Sequence, residues 1–169
     1  MSESSEDARK EFARRVERAE DYDQIFDLVK RAIENTLHEH RAGLSLVLTD
    51  MPNSIGAFYP AWSNYIVVNR ALIEEMKRVV KDLRELNAFV FVILMHEYLH
   101  SLGHLDDDEV RRISKSVCSE TVGPEHPATK YADSNWLEMF PQLSQTGRPF
   151  SKFYRTVEKF DSSSTPYLG

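Results

Sequence analysis

From Arg70 to Leu102 the chain carries neither glycine nor proline, and inside that stretch residues 88–95 read Ala-Phe-Val-Phe-Val-Ile-Leu-Met. Uninterrupted residues of this kind favour helix, but the stretch is too long for one ordinary globular helix. A division near Asp82–Asn87 predicts helices over 70–81 and about 83–102. The second is apolar on nearly every face from Ala88 to Met95, so it has to lie inside the molecule with other elements packed all around it. Gly103 allows the left-handed backbone that stops such a helix. Any fold this chain adopts must be assembled about that segment.

The apolar run leads directly into His96, Glu97, Tyr98, Leu99 and His100. Positions i and i+4 share a helix face, so His96 and His100 can offer two imidazoles to one ion. Glu97, one residue on, can take a proton from a water that the metal acidifies without being a ligand itself. Two histidines and a glutamate on a buried helix are costly unless something satisfies them, and a metal does so.

The rest of the chain predicts an α+β single domain spanning residues 1–169, a small mixed sheet packed on helices with the HExxH helix central. Phe26, Val29, Ile33 and Leu37 recur at helical spacing in a helix over about 9–42, with Gly43 as its stop. Residues 44–49, 55–59 and 65–69 read as strands, with a turn at Met51–Ser54. Asp106 followed by Glu109 has the capping-box pattern that opens a helix to about Val122. A short helix is expected around Asn135–Phe140. Another is expected over 149–160, where Phe150, Phe153, Tyr154 and Val157 form a stripe. Residues 1–8 and 162–169 read as flexible tails.

Composition narrows the function classes. The formal net charge of −6 argues against a general nucleic-acid surface. Cys118 is the only cysteine, which excludes an intrachain disulfide and a Cys-rich metal knuckle and suits a reducing compartment. The opening MSESSEDARKEF has no apolar core of a secretion signal, and the run at 88–95 is too short to span a bilayer. The expectation is a cytoplasmic protein with no membrane association.

These residues resemble the zincin clan of metallopeptidases. LSLVLT, GAFY, NYIVVN, the helix from Arg70 and then FVILMHEYLH follow the element order of a zincin upper half over residues 44–103, and the compact size resembles the minigluzincins. The resemblance implies a zincin-like fold, a bound Zn2+, Glu97 as general base, and a peptide or protein substrate whose bonds are hydrolysed. Residues 104–169 have no counterpart in that comparison.

The third ligand divides the clan. Asp106 lies ten residues after His96 with Gly103 at the turn, matching the HExxHxxGxxH/D pattern of metzincin-like enzymes and snapalysin, and it ranks first. Its ordinary role would be helix N-cap. Glu120, twenty residues after His100, has a gluzincin spacing. On a straight helix it would sit about 20 Å from the turn. His126 could ligate only if the chain folds back after Gly123-Pro124. His104 reads as a helix-end residue, and Met139 as core or as a floor beneath the metal.

Two rival functions remain beside the peptidase. Metal-dependent RNA hydrolases of bacteria use a related pattern, but there a glycine follows the first histidine, where this chain has Glu97. A non-catalytic binding module on a zincin scaffold would have no need of an intact Glu97. The presumed edge strand, Ala57–Tyr59, could take up an extended peptide, and the tail from Ser162 to Gly169 could occupy the same place and hold the enzyme latent.

Overall fold

The computed structural model describes residues 2–161. Helices α1 (Glu3–Arg18) and α2 (Tyr22–Leu37) come first, followed by strands β1 (Ser45–Thr49), β2 (Ala57–Phe58) and β3 (Tyr65–Asn69). Helices α3 (Arg70–Val80), α4 (Leu83–Ser101), α5 (Asp107–Thr121), α6 (Pro127–Ala132) and α7 (Trp136–Met139) follow. A 3-10 turn, Pro141–Gln145, leads to β4 (Arg155–Thr156). The architecture is mixed α+β, with a sheet ordered β2-β3-β1-β4. β1 and β3 are parallel, with Ser45 opposite Tyr65, while β2 and β4 run antiparallel on the two edges. No helix among the described residues is long and apolar enough to cross a membrane. The tail at 162–169 lies outside the described residues.

α4 is the axis of the molecule. It packs against α1, α2, α3, α5, α6 and the sheet, and Ala88, Phe89, Val90, Phe91, Leu94, Met95, Tyr98 and Leu99 are all buried. Asp82 caps its first turn by accepting from the Arg84 amide. Asn87, just inside, turns its amide onto the carbonyls of Val16, Glu17 and Ala19 and so satisfies the C-terminal end of α1.

Three expected elements differ from what forms. The helix expected over 9–42 is two, because Asp21 accepts from the Gln24 amide while the Gln24 side chain takes the Glu20 amide, a reciprocal start signal hidden beneath continuous helical spacing. α2 also stops early, at His38, whose φ of 58° ends it before Gly43. Residues 3–8 are helical, not frayed: Ser2 caps the helix, and Glu3 and Glu6 complement its N-terminal dipole.

The third difference is the largest. Residues 149–160 form no helix; they run along the open edge of β1, where Val157 donates to the Leu46 carbonyl, Thr49 to the Phe153 carbonyl and Ser151 to the Asp50 carbonyl. An unpaired strand edge is a row of unsatisfied backbone groups, and pairing with it outweighed the apolar stripe, whose Phe150, Phe153 and Tyr154 stay exposed.

Asn69 holds the loop before β2 in place. Fully buried at the end of β3, it caps α3 through the Leu72 amide and donates to the carbonyls of Met51, Pro52 and Ile55. Gly56 follows on that loop, and a Cβ there would meet Ile93 at 3.0 Å and Trp136 at 3.2 Å. The loop can press against α4 only because the side chain is absent.

The segment after β4 is pinned by a buried ion pair. Asp161 accepts from Lys30 and also from the Leu44 amide, and both side chains are almost wholly inaccessible. Removing one partner of such a pair strands the other. Asp161→Ala should therefore cost about 3–5 kcal/mol in urea unfolding, and Lys30→Met combined with Asp161→Leu should recover most of that.

Asp50, at the end of β1, is gripped by Arg70 and Arg148. The Arg70 hydrogen bond, acting against partial burial and helped by both guanidinium charges, holds its carboxyl below 3.8. A depressed folded pKa contributes stability above the unfolded value and loses it as pH falls through the folded one. Asp50→Asn should thus be less stable than wild type at neutral pH, with the gap closing as acid takes the solution below 3.8.

Candidate metal centre and its cleft

α4 delivers both histidines from one face. Their Nε2 atoms lie 3.2 Å apart, and the rings meet edge to face at 4.8 Å. His100 is further fixed from behind, its Nδ1 lying 2.7 Å from the His104 carbonyl. An Nδ1–H donated to that carbonyl leaves Nε2 as a bare lone pair directed at His96, the tautomer a metal needs.

The backbone that supplies this carbonyl also supplies the third group. α4 ends at Ser101, Gly103 adopts a φ of 104°, and the chain doubles back into α5. Asp107 is the first residue of α5, and its Oδ1 stands 2.9 Å from His100 Nε2 and 3.3 Å from His96 Nε2. His96, His100 and Asp107 are the one group among the described residues whose donor atoms could hold a metal ion.

Asp106, ranked first from the sequence, is not in that group. Its Oδ1 accepts from the Glu109 amide at 2.8 Å. Its carboxylate is turned onto the free amides of its own helix and is not within the donor group of the two histidines. Of the three aspartates at 106–108, the first caps and the second faces the histidines.

The remaining third-ligand alternatives also lie elsewhere. Glu120 is exposed near the far end of α5. His126 caps α6 and pairs with Glu17 at 3.0 Å. His104 is engaged by Glu39 at 2.9 Å, and Met139 is partly exposed and not part of the cleft lining.

Electrostatics suits the cluster to a cation. Burial, opposed by the Asp107 hydrogen bond, lowers the His96 pKa, with His100 and Arg111 adding to the effect. The imidazole is therefore neutral at physiological pH, as ligation requires. Burial works against the Asp107 carboxylate, but its close contacts with the His96 and His100 imidazoles outweigh it and keep its pKa below the usual range.

Glu97 is nearly inaccessible. Burial, reinforced by the Asp107 charge and partly opposed by a Tyr59 main-chain hydrogen bond, pushes its carboxyl up to about 8. A carboxylate kept this far from water is poised to exchange a proton near neutral pH.

The cluster opens into a cleft of about 320 Å³. One wall is the Ser54–Ala57 loop and the other is α5, with Val92 and Ile93 of α4 between them and Trp136 at one end. Trp136 is held by donating its indole N–H to the Asn53 carbonyl at 2.8 Å. Trp136 is not among the site residues expected from the sequence, and neither are Arg111 and Ser114, which also line the cleft. Their signal was available: Asp107, Arg111 and Ser114 repeat at i, i+4 and i+7.

No family model, no curated protein and no solved structure matches this chain.

The two aspartates separate experimentally. If the cluster holds zinc, Asp107→Asn should weaken its binding at least about 100-fold in chelator competition. Asp106→Asn should leave it unchanged, and Asp106→Ala should cost about 1 kcal/mol of stability with zinc affinity retained.

Proposed function

We propose that this protein is a zinc-dependent hydrolase of peptide bonds, a zincin-like metallopeptidase. The observation that carries the reading is the donor triangle of His96, His100 and Asp107, with edges of 3.2, 2.9 and 3.3 Å. Donors about 2.0–2.1 Å from a tetrahedral zinc stand about 3.3 Å from one another, so the three atoms already have nearly the required spacing. Two imidazoles and one carboxylate are a zinc-type donor set, and three protein ligands are the number found where zinc is catalytic. Zinc held there would act as a Lewis acid toward a carbonyl and would acidify water.

The chain's own residues account for the rest. Glu97, in the same cleft, takes the proton of the attacking water and returns it to the leaving amine. Its pKa, raised by burial, couples it to the site, since a cation nearby favours the carboxylate form. Val92, Ile93 and Trp136 form an apolar surface that limits water around the reacting groups. Among the described residues β2 pairs with β3 alone, so its outer edge, Ala57–Phe58, offers an extended peptide a place beside the cleft.

The cytoplasm goes with this reading. Cys118, buried and with its thiol pushed up to about 12 by that burial, is packed as an inert residue and offers no disulfide chemistry.

Purified protein should carry one zinc per chain, removable by a chelator, and His96→Ala or His100→Ala should abolish stoichiometric binding. Glu97→Gln should keep zinc and fold while peptide hydrolysis falls by several orders of magnitude. Full zinc occupancy in the double histidine variant, or undiminished hydrolysis by Glu97→Gln, would overturn the assignment.

A further inference from the structure

Asp107, Arg111 and Ser114 form one stripe of α5 along the cleft, starting at the metal cluster. Asp107 is accounted for by the two imidazoles. Arg111 acts on the cluster only through its charge, which helps to lower the His96 pKa, and neither it nor Ser114 belongs to the donor group.

Ser114 is 1% exposed, and its Oγ has no hydrogen-bond partner among the described residues. A helical hydroxyl ordinarily bonds back to a carbonyl one turn earlier, as Thr121 does to Val117 at 2.7 Å on the same helix. Ser114 lines the cleft instead, as do the apolar residues Val92 and Ala132. A buried hydroxyl left unpaired is costly, and something entering the cleft can satisfy it.

Arg111 stands one turn closer to the cluster, exposed, with no ion pair or hydrogen bond among the described residues. Asp133, which shares a surface depression with it and with Glu138, is paired with Lys115 at 3.0 Å. The carboxylate of Asp107 is turned toward the histidines.

An unpaired guanidinium and an unpaired hydroxyl therefore share one cleft. A guanidinium offers a planar fork of donors and a hydroxyl offers one more, and the anionic group of an unmodified peptide with acceptors for both is a carboxylate. We propose that Arg111 and Ser114 form a carboxylate subsite, so that the preferred substrates are peptides bearing a carboxylate shortly beyond the bond to be cut. This deepens the metallopeptidase reading and rests on it.

The spacing agrees. Arg111 lies about 6 Å and Ser114 about 10 Å along α5 from Asp107, and an extended peptide advances about 3.4 Å per residue. The carboxylate then falls about two to three residues past the metal cluster. It is either the end of the peptide chain, which makes the protein a carboxy-terminal exopeptidase, or an acidic side chain.

The test is a calorimetric titration of the full-length Glu97→Gln chain, with and without zinc, using four N-acetylated tetrapeptides. One has a free carboxyl end, the second is its amide, and the third and fourth are amides ending in aspartate and asparagine. Binding of the free acid at least about tenfold tighter than its amide supports the subsite with a terminal carboxylate. An equal preference for aspartate over asparagine supports it with a side chain.

In either case Arg111→Gln should erase the preference, Arg111→Lys should restore part of it, and Ser114→Ala should reduce it. No preference, no binding of any peptide, or a preference that survives Arg111→Gln overturns the subsite. Zinc stoichiometry, measured on the same samples, reports on the metal reading alone. Loss of zinc with the carboxylate preference intact would strike only that reading, and normal zinc without the preference would strike only the subsite.

Discussion

The structure depends on burying α4 from every side. Each large apolar side chain taken fully out of water contributes about 1.5–3 kcal/mol, and α4 buries Phe89, Phe91, Leu94, Met95 and Leu99 against neighbours on all of its faces. That burial outweighs the cost of taking Asn87, Glu97 and two histidines into the same environment. It also sets their chemistry. Asn87 spends its donors on the end of α1, and Glu97 is pushed to a pKa of about 8. The histidines, at the last turn, escape complete burial and face the cleft.

The turn after α4 does two jobs with few residues. Gly103 reverses the chain, and the His104 carbonyl that results orients His100. The same reversal brings the start of α5 back against the end of α4. There the helix terminus needs a cap and the imidazoles need a carboxylate, and consecutive aspartates meet the two needs separately. Acidic residues in the first turn of a helix are already favoured by its dipole, so Asp107 costs the fold nothing by being there.

The opposite wall is governed by polar contacts. Asn69 ties the loop before β2 to the start of α3, and Gly56 lets that loop approach Ile93 and Trp136. The cleft is thus bounded by a loop held through backbone hydrogen bonds and by a helix face carrying Arg111 and Ser114. Residues 149–161 take no part in lining it; they close the β1 edge and are anchored by the Lys30–Asp161 pair.

Sequence alone determined the α4 helix, its central place and the histidine pair, because unbroken helical residues, all-round apolarity and i, i+4 spacing are local properties. It likewise determined β1, β3, α3 and the start of α5 at the Asp106 cap. Which carboxylate faces the histidines was decided by tertiary structure: neighbouring aspartates look alike in sequence, and only the angle at which α5 returns past Gly103 assigns one to the helix and the next to the cluster. The path of residues 149–160 was decided the same way. Their helical stripe was genuine as a pattern, but the unpaired edge of β1 is distant in sequence, and its backbone hydrogen bonds exist only once the sheet has formed.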